Sequence, residues 1–323
     1  MRTLRLADTI DLPVLGLGTW RMGEVSANRS AEVRAIRRAI EMGYRLFDTA
    51  EMYGEGGAET VLGLAMAEAL RAGDVRRDEL TIVSKVYPHN ASRQGTSAAC
   101  DRSRQRLALD VIDLYLLHWH DNHPPAYTVS AMRELRSRGA IRTWGVSNFD
   151  VNDMLELAGL HAVPRPRAAA VNAAGVRTVG VADVGAAATA AASAVASTAA
   201  STDDCVCNQV YLSPTERGAE FALLPWLQQH GQVLMAYSPV DQGELAQSAA
   251  LRDMSRRLGV SPTRLGLAWL LSRPGVCVIP KASQEVHQRD NLAAADLVLG
   301  AAELAELENA FPAPRRKAPL AMI

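Results

Sequence analysis

The segment FDTAEMYG, residues 47 to 54, places a carboxylate, Asp48, and a phenol, Tyr53, five residues apart around a turn that closes on Gly54. A phenol can hydrogen-bond a reacting oxygen and give up a proton to it, so this pair suits general acid–base chemistry. Phe47 and Asp48 finish a strand-like run, RLFDTA, and no apolar period continues it, which sets the acid at a strand's exit. Alone, an acid in that position caps the next helix and a tyrosine packs. Only partners elsewhere in the chain give the pair a chemical meaning.

Such partners stand at the ends of other strand-like runs. LTIVSKV carries Lys85, LYLLHWH ends in His118 and His120, and GVSNF carries Ser147 and Asn148. Further on, NQV holds Asn208 and Gln209, AYSP holds Tyr237 and Ser238, and IPKA holds Lys281. Taken singly, a strand lysine snorkels to the surface and a strand-end histidine is a structural hydrogen-bonding group. Their joint placement at corresponding strand ends carries more weight than any one of them.

The elements that must position these residues are legible as an alternation. Eight strand candidates begin at Val14, Arg45, Leu80, Ile112, Thr143, Val206, Val233 and Val276. Helical patterns lie between them, such as AEVRAIRRAIEMG, where Val33, Ile36 and Ile40 share a face, and PTRLGLAWLLSR. Strands alternating with helices predict parallel βα units, and eight of them predict an α/β fold of the closed (β/α)8 TIM-barrel type. An open dinucleotide-binding sheet would need GxGxxG after its first strand, whereas GLGTW has Gly16 and Gly18 but no third glycine in register. The alternation TLRLADTIDLPVL predicts an N-terminal hairpin turning at Asp8 and Thr9. Residues 1–323 are expected to form a single domain. Between the fifth helix and the sixth strand, residues 161–204 are dominated by Ala, Val, Thr and Ser, and are expected to be a mobile, low-complexity insertion.

Composition narrows the function classes. A chain of 323 residues with 48% hydrophobic content can bury a large core, and a formal charge of -1 lacks the basic footprint of a nucleic-acid binder. The N-terminus is interrupted by Arg5, Asp8 and Asp11, unlike a secretory leader, and no uncharged apolar run is long enough to span a membrane. The four cysteines lack zinc-like or CxxC spacing and are expected to be free thiols in a reducing, cytoplasmic setting. No metal site is expected.

With these motifs in this order (GLGTW, FDTAEMYG, the Lys85 strand, LYLLHW, GVSNF, NQV, AYSP, IPKA), the sequence resembles the aldo-keto reductase family over nearly its whole length. The resemblance implies a catalytic tetrad of Asp48, Tyr53, Lys85 and His118. Tyr53 would donate the proton, Lys85 would lower its pKa, Asp48 would hold the Lys85 ammonium, and His118 would orient the carbonyl. It also implies a nicotinamide dinucleotide, NADP (NADPH) with NAD as an alternative, lying across the barrel mouth. Thr19, Trp20, Ser147, Asn148 and Gln209 would meet its nicotinamide end, with Tyr237 stacked on the ring. Ser238, Pro239, Val240 and Leu245 would follow the pyrophosphate. Lys281, Ser283, His287, Asp290 and Asn291 would surround the adenosine end.

The family commonly recognises the 2′-phosphate with a lysine, a neighbouring serine and an arginine. Here Lys281 stands, Ala282 replaces the serine and His287 replaces the arginine, so the expected preference for NADPH is modest. Trp20 and Trp119 would join Tyr53 and His118 in an aromatic wall suited to aldehydes and ketones, and the brevity of the tail after Phe311 favours small carbonyl compounds over bulky ones. The expected protein is therefore a monomeric reductase of small carbonyl compounds. A nucleotide-binding regulatory or channel-associated subunit of the same fold, with little turnover, is the alternative.

Overall fold

The computed structural model describes residues 1–6, 10–120, 123–161 and 204–323. The chain opens with an antiparallel hairpin of β1 (Thr3–Leu6) and β2 (Ile10–Pro13), registered so that Leu6 faces Ile10 and Leu4 faces Leu12. The expected turn residues Asp8 and Thr9 lie outside the described residues, as does almost all of the expected insertion at 161–204.

Eight parallel strands follow: β3 (Leu17–Gly18), β4 (Leu46–Asp48), β5 (Thr81–Val86), β6 (Ile112–Leu117), β7 (Ile141–Ser147), β8 (Cys205–Tyr211), β9 (Val233–Tyr237) and β10 (Val276–Val278). They pair in sequence order, and parallel bridges from Leu15 to Val278 and from Gly18 to Lys281 join the last strand to the first. Gly16 N–H donating to Val278 O, and Val278 N–H to Val14 O, complete the closure into a barrel. The start of the expected run, Val14–Gly16, bonds to the last strand, and the ladder with β4 is confined to Leu17 and Gly18. Gly16 also has no room for a side chain, since a Cβ there would sit 2.5 Å from the Leu46 side chain.

Helices surround the strands: α1 (Arg29–Glu41), α2 (Gly57–Ala72), α3 (Arg93–Leu107), α4 (Pro125–Ser137), α5 (Val151–His161), α6 (Leu223–Gln229), α7 (Ala249–Leu258), α8 (Pro262–Leu271), α9 (Glu285–Ala293) and α10 (Ala301–Ala310). Helix α1 buries Val33, Ile36 and Ile40, the face its apolar spacing predicts. Helix α8 starts with Ser261 capping the Arg264 N–H and Pro262 in its first turn, where a missing N–H costs nothing.

Apolar side chains sort into three layers. The largest cluster lies between strands and helices and includes Phe47, Tyr115 and Trp144. A second fills the barrel interior with Leu46, Val83, Leu114, Leu116, Cys207, Met235 and Cys277, and the hairpin adds Leu6, Ile10 and Leu12 to it. The hairpin thus contributes to the core as well as to the surface. A third, smaller cluster joins Leu245, Leu251, Met254, Leu265, Trp269 and Leu307. All four cysteines are buried.

Candidate active site

The strands carry Asp48, Lys85 and His118 to one end of the barrel because each lies at, or one residue from, its strand's C-terminal end. Tyr53 reaches them from the turn after β4, which Gly54 makes possible with a left-handed φ of 57° and Gly23 backbone only 3.0 Å from where its Cβ would be.

At the centre is the fully buried Lys85. Its Nζ lies 2.8 Å from Asp48 Oδ2, 2.8 Å from the Thr49 carbonyl oxygen and 3.2 Å from Tyr53 Oη. An ammonium has three N–H donors, and all three are placed. Asp48 Oδ1 accepts from Gln209 Nε2 at 2.8 Å, so both carboxylate oxygens are bonded. Burial pushes the Asp48 carboxyl above the ordinary range, offset in part by the Lys85 charge and the Gln209 amide. Burial works against the Lys85 ammonium too, but Asp48 and Tyr53 outweigh it and leave its pKa above the usual lysine value.

Tyr53 departs from expectation. Burial pushes its phenol above the ordinary tyrosine range, more strongly than the Lys85 ammonium pulls it down. The anticipated lowering by Lys85 is present as one contribution and loses to desolvation. His118 is buried beside Tyr53, with ring centroids 5.7 Å apart, and beside Trp119 at 4.8 Å. Burial and the Lys85 charge hold its imidazole well below the ordinary histidine range, so the ring is neutral near pH 7. Its Nδ1 is buried with no partner in the structure.

A cleft of about 560 Å³ opens above these groups. Asp48, Tyr53, His118, Trp20, Trp119, Asn148, Gln209, Tyr237, Ser238, Pro239, Val240, Lys281, Ser283, His287 and Asn291 all line it, which brings most of the sequence-predicted residues onto one surface. Thr19 and Ser147 are buried behind the lining as struts: Thr19 Oγ1 donates to Asp48 O at 3.0 Å and Ser147 Oγ to Gln209 O at 2.7 Å. Leu245 was expected on the cleft but is buried in the third apolar cluster. Asp290 likewise turns away, its carboxylate held by Arg264 at 2.7 Å and by the Ser261 hydroxyl. The amide of Asn148 is engaged at both ends, Nδ2 donating to His118 O at 3.1 Å and Oδ1 accepting from Tyr237 OH at 3.0 Å. Asn148 and Ser238 adopt left-handed backbone, with φ of 60° and 46°, and strain of this kind collects at functional surfaces.

Three features were missed by sequence reasoning. Glu51, inside FDTAEMYG, is buried and braces the cleft wall: Oε1 accepts from Tyr87 N–H at 2.7 Å and Asn90 Nδ2 at 3.1 Å, and Oε2 pairs with Arg102 at 3.2 Å. Tyr87 in turn meets Trp119, ring centroids 5.2 Å apart. Arg38 of α1 reaches the loop after β10, where its Nη2 donates to the Ser283 carbonyl oxygen at 3.3 Å. The short C-terminal tail brings Met322 and Ile323 to the cleft, with Lys317 paired to Asp150 at 3.3 Å. Only the residue type of Glu51 gave a signal; the other two depend on contacts far apart in sequence. Among the described residues no group of three or more His, Cys, Asp or Glu is gathered to hold a metal, and no helix is long and apolar enough to cross a membrane.

The family model described as "Aldo/keto reductase family" matches residues 14–174 and 168–311. The methylglyoxal reductase YeaE of Escherichia coli is 37% identical over 100% of this chain and 99% of its own length. A glyoxal reductase of Bacillus subtilis is 28% identical over 95% and 91%. A crystal structure of an aldo-keto reductase from Klebsiella pneumoniae in complex with NADPH superposes with a TM-score of 0.81 at 38% identity, covering 100% of this chain and 99% of that one. A closed eight-stranded barrel, polar strand ends gathered on one cleft, and matches of this extent lead to one conclusion: the chain belongs to the aldo/keto reductase family.

Proposed function

We propose that the protein reduces small 2-oxoaldehydes and related carbonyl compounds to alcohols with NADPH, and that Tyr53, Lys85, Asp48 and His118 do the chemistry. The observation that carries this reading is the placement of Lys85 Nζ, 3.2 Å from Tyr53 Oη with its other two donors on Asp48 and Thr49, at the floor of a cleft that runs to Lys281 and His287.

The cleft suits a dinucleotide in its chemistry as well as its reach. Tyr237 offers an aromatic wall, and Gln209 keeps its Oε1 for a carboxamide while Nε2 serves Asp48. Ser238, Pro239 and Val240 line the middle, and Lys281, Ser283, His287 and Asn291 stand at the far end. When bound there, the nicotinamide supplies the hydride.

The chain's own residues handle the oxygen and the proton. Tyr53 Oη accepts the third Lys85 hydrogen, which leaves its own O–H to point at a carbonyl oxygen in the cleft. A phenol pKa held high by burial keeps that hydrogen in place at neutral pH, and the alkoxide formed by hydride addition is basic enough to take it. The neutral His118 ring can donate one N–H to the same oxygen. Trp20 and Trp119 furnish apolar contact, and Glu51 holds the loop against which Trp119 packs. The similarity to methylglyoxal and glyoxal reductases supports a small dicarbonyl substrate.

To the same proposal belong a single domain spanning residues 1–323 with 161–204 as an insertion, and a monomer acting in the cytoplasm without nucleic-acid or membrane partners. The near-neutral formal charge and four cysteines without zinc-like or CxxC spacing support it. The test is a panel of carbonyl compounds, with methylglyoxal and glyoxal among them, followed by NADPH absorbance. Turnover highest on the small dicarbonyls is expected; tight NADPH binding with no turnover on any of them would overturn the reading in favour of a non-catalytic subunit.

A further inference from the structure

The sequence leaves one permanent charge, Lys281, to recognise the extra phosphate of NADPH, because His287 is charged only when protonated. The fold brings a second. Arg38, on the outer helix α1, donates from Nη2 to the carbonyl oxygen of Ser283 at 3.3 Å, and Ser283 lies on the cleft rim between Lys281 and His287.

Buried bonds fix this placement. Gln288 of α9 is fully buried and donates from Nε2 to Ala35 O of α1 at 2.9 Å and to Ala282 O at 3.1 Å, while Tyr44 OH donates to Gln288 O at 2.7 Å. The helix carrying Arg38 and the loop carrying Lys281 to Ser283 are therefore tied through one side chain.

The charge on Arg38 is also unspent. Its neighbour Arg37 pairs with Glu41, Glu68 and Asp74, and the carboxylates closest in sequence to the rim loop are taken by others, Glu285 by Arg289 and Asp290 by Arg264. Among the described residues no carboxylate forms an ion pair with Arg38 or with Lys281, and Arg38 Nε is buried without a hydrogen-bond partner. A guanidinium with a single long bond to a neutral carbonyl keeps charge and planar donors for a phosphate, the anion its geometry matches best.

We propose that Arg38 is a specificity residue for the 2′-phosphate of NADPH, completing with Lys281 the permanent positive charge that the loop after β10 supplies only in part. This rests on the NADPH-dependent reading above. It is tested by calorimetric titration of 2′,5′-ADP and 5′-AMP, two probes that differ in that phosphate and need no turnover.

For Arg38→Gln, affinity for 2′,5′-ADP should fall about tenfold while that for 5′-AMP stays within about twofold. Arg38→Lys, which keeps a charge, should retain most of the affinity. Arg38→Met, with its aliphatic stem, repeats the neutral test should the glutamine variant not fold. Unchanged 2′,5′-ADP binding in the neutral variants, an equal loss for both probes, or a loss in Arg38→Lys as large as in Arg38→Gln would each overturn the role. A parent protein that binds the two probes equally would instead overturn the NADPH reading itself.

Discussion

Lys85 Nζ stands 3.2 Å from Tyr53 Oη and 4.7 Å from the centroid of the same ring, so the ammonium meets the phenol at its oxygen and across its π face. With Asp48 and Thr49 occupying its other donors, Lys85 has no freedom to swing away. The phenol's hydrogen is consequently directed by the lysine rather than by solvent.

Replacing Tyr53 with Phe removes the proposed proton donor and leaves the residues at the far end of the cleft unchanged. Carbonyl reduction should fall by about 10²- to 10⁴-fold, the usual scale of a general acid. NADPH affinity, read by fluorescence titration, should change little. Turnover close to that of the parent would remove Tyr53 from the chemistry.

Lys85→Met should cost stability as well as activity. Deleting one partner of a buried ion pair strands the other charge, at a cost of about 3–5 kcal/mol. Asp48 would escape by binding a proton, and burial already pushes its pKa up, so the loss should be smallest in acid and grow as pH rises and the carboxylate ionises. Urea unfolding of parent and variant at pH 5 and 8 measures this. A loss that is equal at the two pH values would show that Asp48 is not the stranded group.

The pH profile of reduction tests the balance of forces on Tyr53. Donation requires the protonated phenol, and burial holds its pKa above the ordinary tyrosine value of about 10. The reduction kcat should therefore show no alkaline decline below about pH 9, and fall only as the phenol ionises beyond that. A decline centred between pH 7 and 8 that disappears in Tyr53→Phe would mean that the Lys85 charge outweighs burial after all.

His287→Arg should raise the ratio of NADPH to NADH efficiency. His287 is exposed on the rim with Lys281 and Ser283, and a guanidinium carries a permanent charge on a planar donor fork that matches phosphate. A gain of about threefold to tenfold at pH 8 is expected for one added charge-assisted contact to phosphate. Steady-state kinetics with both cofactors checks it, and an unchanged ratio would take His287 out of the phosphate site.

By itself the sequence determined the barrel and the composition of its rim. The alternation of short apolar runs with helical periods counts eight βα units, and residues at corresponding strand ends must share one face of a closed barrel whatever the details of packing. Asp48, Lys85, His118, Asn148 and Gln209 were legible for that reason, and Tyr53 because the turn that follows a strand end is short. Tertiary structure decided which way side chains face and what surrounds them. Leu245 and Asp290 sit in the right stretches but turn into an apolar cluster and onto Arg264, because packing sets the direction of a side chain where spacing sets only its address. Arg38 reaches the loop after β10, and Met322 and Ile323 reach the cleft, from elements that their sequence positions leave far from it. The net upward pull on the Tyr53 phenol was hidden for the same reason: a neighbouring lysine can be read from motifs, but the desolvation that overrides it exists only once the surrounding core has closed.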